Sequence, residues 1–246
     1  MEERLKLSRD STAMEVDATR YQRIVGSLRY LVHTRPDLTF AVGYVSRFMQ
    51  QSTTEHEQAV KRILRYVAGT SDYGLHYPRC PGAEHFIGYS DSDLAGDIDT
   101  SKSTSGTLFF LGKCLISWQS VKQQVVALSS CEAEYIVATT ASTQALWLAW
   151  LLGDLLGRDA EAVELRVDNK SALALAKNPV FHERSKHIRI KYHFIRSYLD
   201  ESIKAGYITQ NQLADLLTKS LGRVKFQELG ARIGMVQIPQ KMPHKT

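Results

Sequence analysis

Cysteine is scarce in this 246-residue chain: Cys80, Cys114 and Cys131 are an odd set with no C-x-x-C spacing. That argues against a disulfide framework and a structural zinc site, and points to a reducing compartment. No apolar run reaches the ~18 residues of a membrane span, and the first residues lack the apolar core of a signal peptide. The expectation is an intracellular chain, cytoplasmic or nuclear and not secreted. No internal repeat and no low-complexity linker divides it. Charge of neither sign dominates; the net +5 and a pI near 9.0 permit a polyanionic partner without requiring one.

What is present changes texture once along the chain. Residues 1–20 are polar and poorly periodic, a loose lead-in. From Tyr21 to Gly69 apolar residues recur at helical spacing: Ile24, Leu28 and Leu31, then Leu38, Val42 and Val45, then Val60, Ile63, Leu64 and Val67. Pro36-Asp37 reads as the break before the second helix and Thr53-Thr54-Glu55 as the cap of the third. After Gly69–Asp72 the pattern turns to strands at His85–Ser90, Thr107–Leu111 and Cys114–Trp118, the last two flanking a Gly112-Lys113 hairpin turn. Val125–Leu128 precedes a long helix from about Ser130 to Leu156, whose Ala138, Ala141 and Ala145 form a stripe able to lie close on a sheet. Leu165–Val167 reads as a strand, 170–176 and 185–202 as helices, Tyr207-Ile208 as a last strand and Gln212–Thr218 as a helix. The domains implied are a lead-in at 1–20, a helical segment at 21–72, an α/β domain at 73–222 with a mixed sheet and helices on both sides, and a helix and tail at 223–246.

Carboxylates recur in this second part at the edges of different elements: Asp91 and Asp93 in Tyr89-Ser-Asp-Ser-Asp93, Glu132 and Glu134 in Ser130-Cys-Glu-Ala-Glu-Tyr135, Asp168 in Val167-Asp-Asn169, and Asp215 in Gln212-Leu-Ala-Asp215. Their neighbours are apolar or small, unlike those of solvated surface acids. Carboxylates brought to one point are held there chiefly by divalent metal, since hard cations take oxygen ligands and phosphate oxygens complete the shell. A pair of such ions is a recurring device for in-line phosphodiester cleavage.

The order of these motifs resembles the ribonuclease H domain of copia-type long-terminal-repeat retrotransposons. The resemblance is carried by Gly88-Tyr-Ser-Asp-Ser-Asp-Leu-Ala-Gly-Asp97, Lys102-Ser-Thr-Ser-Gly106, Ser129-Ser-Cys-Glu-Ala-Glu-Tyr135, Val167-Asp-Asn-Lys-Ser-Ala172, Asn178 to Ile188 and Gln212-Leu-Ala-Asp-Leu-Leu-Thr-Lys219. Tyr21 to Thr70 resembles the segment that closes the reverse transcriptase of the same polyproteins. No Tyr-x-Asp-Asp polymerase motif occurs, so the chain reads as a carboxy-terminal piece of a Pol polyprotein. The sequence departs from the family pattern at Leu94, Ser101 and Ser220, where tryptophan, a basic residue and proline are usual.

The resemblance implies a ribonuclease H-like five-stranded mixed sheet flanked by helices and preceded by a small helical domain. It implies Asp91, Glu134, Asp168 and Asp215 as the catalytic and metal-binding set for Mg2+ or Mn2+, with Asp93 as an auxiliary carboxylate and His187 as an aid to proton transfer or product release. The implied substrate is an RNA–DNA hybrid, read through duplex shape and 2′-hydroxyls. The implied partner is a polymerase domain of the parent polyprotein, and the setting a virus-like particle in the cytoplasm, or the nucleus. Arg184, Lys186, Arg189, Lys191 and Arg196 crowd one stretch with the single acid Glu183, a phosphate-gripping face or simply a solvated helix face. His182, His187 and His193 lack cysteine partners and helical register, which argues against zinc. A catalytically inactive remnant or co-opted nucleic-acid-binding module is the alternative, favoured by the short stretch from Asp200 to Asn211. An integrase is disfavoured because its carboxylate order ends in glutamate.

Overall fold

The structure is a computed structural model, and the residues it describes are 1–79, 82, 85–159, 161–177, 198, 201–208 and 212–238. The chain forms two compact units, Met1–Tyr77 with Ser220–Thr246, and Pro78–Lys219.

The first unit is built on three helices, α1 (Ala18–Leu31), α2 (Thr39–Val45) and α3 (Thr54–Gly69). Asp17 caps α1 by accepting from the amides of Thr19 and Arg20. Pro36 opens a single 3-10 turn, Pro36–Leu38, that breaks the chain before α2. Thr53 caps α3 in a variant of the capping box, its amide donating to Nδ1 of His56 at 3.0 Å. The apolar stripes meet in one core of Tyr21, Val25, Leu28, Leu38, Val42, Val45, Phe48, Val60 and Ile63. Arg35 and Asp37 form a buried ion pair at 2.8 Å, and both are further satisfied, Arg35 by Thr70 and Asp37 by the Tyr66 hydroxyl.

The same unit includes β1 (Tyr73–Leu75), α6 (Arg223–Arg232) and β7 (Met235–Gln237). The sequence draws the domain line at 72 and treats 223–246 as a separate tail. The units divide instead at Tyr77 and Lys219, because β1 and β7 pair antiparallel, Gly74 opposite Val236. Three-residue strands carry too little periodicity to be found from sequence.

The second unit is the α/β layer. Its sheet contains β2 (Phe86–Ser92), β3 (Thr104–Leu111), β4 (Cys114–Lys122), β5 (Val163–Val167) and β6 (Ile203–Tyr207), in the order β4-β3-β2-β5-β6. β2 is antiparallel to β3 and parallel to β5, and β5 is parallel to β6, so the sheet is mixed, as the sequence implies. Gly112 takes a positive φ of 59° at the β3–β4 turn.

Helix α4 (Ser130–Leu156) lies on the sheet with Ala138, Ala141 and Ala145 all buried. Phe109, Leu165, Val167 and Ile203 complete the core beneath it. Burial of each such large side chain contributes roughly 1.5–3 kcal/mol. By length and composition α4 could cross a bilayer, but 61% of that apolar stretch is buried inside the protein. Ser129 caps it, its Oγ accepting from the Glu132 amide, while Glu132 Oε2 accepts from the Leu128 amide just before the helix. Gly157, with φ of 65°, ends it. α5 (Lys170–Lys177) follows β5.

One expected element differs. The expected helix at Gln212–Thr218 is a 3-10 helix over Leu213–Leu217, held down by burial of Leu213, Leu216 and Leu217. The helix expected at 185–202 lies mostly outside the described residues.

Candidate metal centre

The geometry of the centre follows from strand register. β2 and β5 run parallel with Ser90 opposite Val167, so Asp91 and Asp168 are the next residues along two neighbouring strands. Adjacent strands lie about 4.8 Å apart, and the carboxyl ends of parallel strands are where open α/β sheets bind ligands. Glu134 reaches the same point from the second turn of α4. Its Oε1 accepts from the Ser92 amide at 2.8 Å, which ties α4 to the end of β2. Asp91, Glu134 and Asp168 each offer an oxygen within 4.8 Å of the others.

Asp91 is 1% exposed and Glu134 4%, so these charges are desolvated. Burial, followed by the nearby Asp91 and Asp168 carboxylates, pushes Glu134 up to about 9. Asp91 is pushed up to about 6, first by burial and in opposition to the Lys219 ammonium. Asp168 is raised for the same leading reason. Glu134 Oε2 is buried with no hydrogen-bond partner. An all-oxygen donor set with an unpartnered buried carboxylate oxygen and mutually raised acids is short of positive charge. That fits a hard divalent ion.

The fourth carboxylate stands beside this triad rather than within it. Asp215 lies on the 3-10 helix and bonds the ammonium of Lys219. Lys219 Nζ is also 3.3 Å from Asp91 Oδ1. Thr218 donates its hydroxyl to Asp91 Oδ2. One cation therefore links Asp91 and Asp215. The summed attraction of the two carboxylates outweighs burial and holds the Lys219 ammonium well above its usual range.

Asp93 does not join the centre. β2 has ended by then, and its Oδ1 accepts from the Thr104 amide at 2.5 Å, closing the mouth of the β2–β3 connection. Arg184, Lys186, His187, Arg189, Lys191 and Arg196 lie outside the described residues.

The sequence reading missed the supports. Gln212 Nε2 donates to the Ser90 carbonyl at 2.7 Å, while its Oε1 accepts from the Ala214 amide. Gln123 Nε2 lies within hydrogen-bonding distance of Ser92 Oγ, Ser105 Oγ and the Ala133 carbonyl, joining β2, β3 and α4 around Glu134. Gly106, opposite Asp91 in the sheet, is where the 3-10 helix rests: a Cβ there would meet Thr218 Cγ2 at 2.8 Å and Leu217 Cβ at 2.9 Å. The Asp215–Lys219 spacing of four was a visible signal. The contacts of both glutamines had none.

Mixed sheet, covering helices and carboxylates at the ends of the central strands together define an α/β domain of ribonuclease H-like architecture. No family model matches the chain. It is 44% identical over 236 residues to the retrovirus-related Pol polyprotein from transposon RE1 of Arabidopsis thaliana, which covers 95% of this chain and 16% of that one. It is 46% identical over 220 residues to the corresponding polyprotein from transposon TNT 1-94 of Nicotiana tabacum, covering 87% of this chain and 16% of that one. The chain is thus similar to retrovirus-related Pol polyproteins of plant transposons and spans about a sixth of the length of these relatives. Among solved structures it is similar to LC11-RNase H1, isolated from compost by a metagenomic approach, at 18% identity and a TM-score of 0.37, covering 55% of this chain and 93% of that one.

Proposed function

We propose that the second unit is a divalent-metal-dependent ribonuclease H that hydrolyses the RNA strand of an RNA–DNA hybrid. The observation that carries this reading is the triad of buried Asp91 and Glu134 with half-buried Asp168, one Glu134 oxygen being unpartnered. Asp91, Glu134 and Asp168 would hold one Mg2+ or Mn2+ ion, and Asp91 with Asp215 would hold a second. Ions bound there would lower the pKa of the attacking water and stabilise the leaving oxygen.

The chain's own groups do the positioning. The Ser92 amide fixes Glu134 Oε1 and leaves its other oxygen available. Thr218 fixes one oxygen of Asp91. The rigid parallel pair β2–β5 sets the separation of the two aspartates. Such preorganisation on regular elements spares the site reorganisation at the moment of reaction. A hybrid would be chosen by duplex shape and 2′-hydroxyls, with little reading of base sequence.

The test is an assay of purified chain with Mg2+ or Mn2+ on matched RNA–DNA, double-stranded DNA and double-stranded RNA. The reading requires cleavage of the RNA strand of the hybrid and intact DNA duplex. Binding of hybrid without metal-dependent cleavage would favour a nucleic-acid-binding remnant instead.

A further inference from the structure

Lys219 stands where a nuclease centre has most use for a metal ion. Its ammonium lies 3.3 Å from Asp91 Oδ1 and bonds Asp215. Asp91 is also a member of the triad, so it is the corner common to both sides of the centre. The root of the side chain is fixed, because the Lys219 and Thr218 amides both donate to the Asp215 carbonyl, at 3.1 and 3.3 Å. Its tip is free to leave, since the side chain is 43% exposed and the lysine stem is flexible.

We infer that the Lys219 ammonium is a built-in counter-ion that occupies the Asp91–Asp215 side of the centre and must be displaced before a divalent ion binds there. This rests on the proposal that these carboxylates hold divalent ions. Ammonium and divalent cation would seek the same carboxylate oxygens, and like charges at that separation repel strongly in a partly buried site. The tether keeps the displaced ammonium close, so it competes at high effective concentration. Lys219 thereby acts as a positioning residue that divides the centre into two unequal halves. The triad of Asp91, Glu134 and Asp168 loads first, and the Asp91–Asp215 half loads late. Without metal the same ammonium offsets the repulsion between Asp91 and Asp215, which keeps the 3-10 helix seated.

The experiment is a Mn2+ titration of the full chain without nucleic acid, followed by electron paramagnetic resonance and calorimetry. It compares wild type with Lys219→Met and Lys219→Arg, each checked for folding by circular dichroism. The expected result is that Lys219→Met binds the weaker ion about tenfold or more tightly than wild type, while the tighter ion changes less than about threefold. Lys219→Arg keeps a fixed positive charge and retains the weak site. A second ion detected only in Lys219→Met also supports the inference. Unchanged or weaker binding of the second ion in a folded Lys219→Met protein overturns it, as does the lack of a second ion in every variant. Should Lys219→Met not fold, Lys219→Arg still decides: tenfold tightening of the second ion in that variant contradicts charge competition, and an unchanged weak site supports it. Because no substrate is present, the outcome is separable from the nuclease reading. Unequal ions without hybrid cleavage would sink that reading alone, and cleavage with unaltered ions would sink this one alone.

Discussion

Gln212 donates its side-chain amide to the Ser90 carbonyl at 2.7 Å, joining residues 122 positions apart in sequence. This bond fastens the 3-10 helix that carries Asp215 to the strand that carries Asp91. Gln212→Ala removes one partner and leaves buried groups unsatisfied, which costs about 1–3 kcal/mol. Thermal or urea unfolding should register that loss, and hybrid cleavage should fall with it. A variant as stable as wild type would show that the helix is seated by other contacts.

Gly106 gives the second handle on the same seat. A methyl group there collides with Leu217 and Thr218, and Thr218 holds Asp91. Gly106→Ala should destabilise by roughly 1–3 kcal/mol through overpacking. The divalent-ion affinity should drop as well, because Thr218, Lys219 and Asp215 move together. Loss of stability with unchanged metal affinity would separate the helix from the centre.

Glu134 is raised to about 9 and Asp91 to about 6, burial being the leading cause in each. A carboxyl raised in the folded state favours folding fully only below its unfolded pKa. That contribution is lost as pH rises through the folded pKa, so metal-free protein should weaken from about pH 4 towards pH 9. Glu134→Gln removes the charge that must be buried. In chelator at pH 8 it should raise stability on the order of 2 kcal/mol, and at pH 4 the two proteins should unfold alike. Adding Mg2+ should stabilise wild type more than the variant, increasingly so with pH, because binding displaces protons. A pH-independent difference between the proteins would contradict the burial argument.

The basic residues of 184–196 lie outside the described part of the chain, and their role is tested in solution. Arg189→Ala and Lys191→Ala should each weaken hybrid binding and reduce the salt slope by about one per lost phosphate contact. Neither should alter Mn2+ affinity. An unchanged salt slope would return this stretch to an ordinary solvated face.

The helical first segment and the mixed sheet were legible because their cores repeat at regular spacing: Leu28 and Ile63 on helices, Phe109 and Leu165 on strands, all buried. Convergence of Asp91, Glu134 and Asp168 could be anticipated because each ends or opens a strong element. Asp93 misled, since its place two residues on suggests a continued strand, whereas the strand stops at Ser92 and the side chain turns to Thr104. Thr218, Gln212 and Gln123 reach the centre through contacts spanning 10 to 127 residues, which no local spacing encodes. The β1–β7 pair escaped notice for the same reason, being a long-range union of two short strands.

The central claim is that Asp91, at the junction of β2, the 3-10 helix and the triad, holds the ions of a hybrid-cleaving centre. Asp91→Asn keeps the shape and removes the charge, and a neutral amide cannot hold hard cations. The decisive measurement is cleavage of the RNA strand of a labelled RNA–DNA hybrid by wild type and Asp91→Asn across a Mg2+ and Mn2+ range, with hybrid affinity measured alongside. The account predicts metal-dependent nicking by wild type, none by the variant, and equal or tighter hybrid binding by the variant because one repulsive charge is gone. Equal cleavage by both proteins, or wild type that binds hybrid without cutting it above the variant's background in either metal, would contradict it.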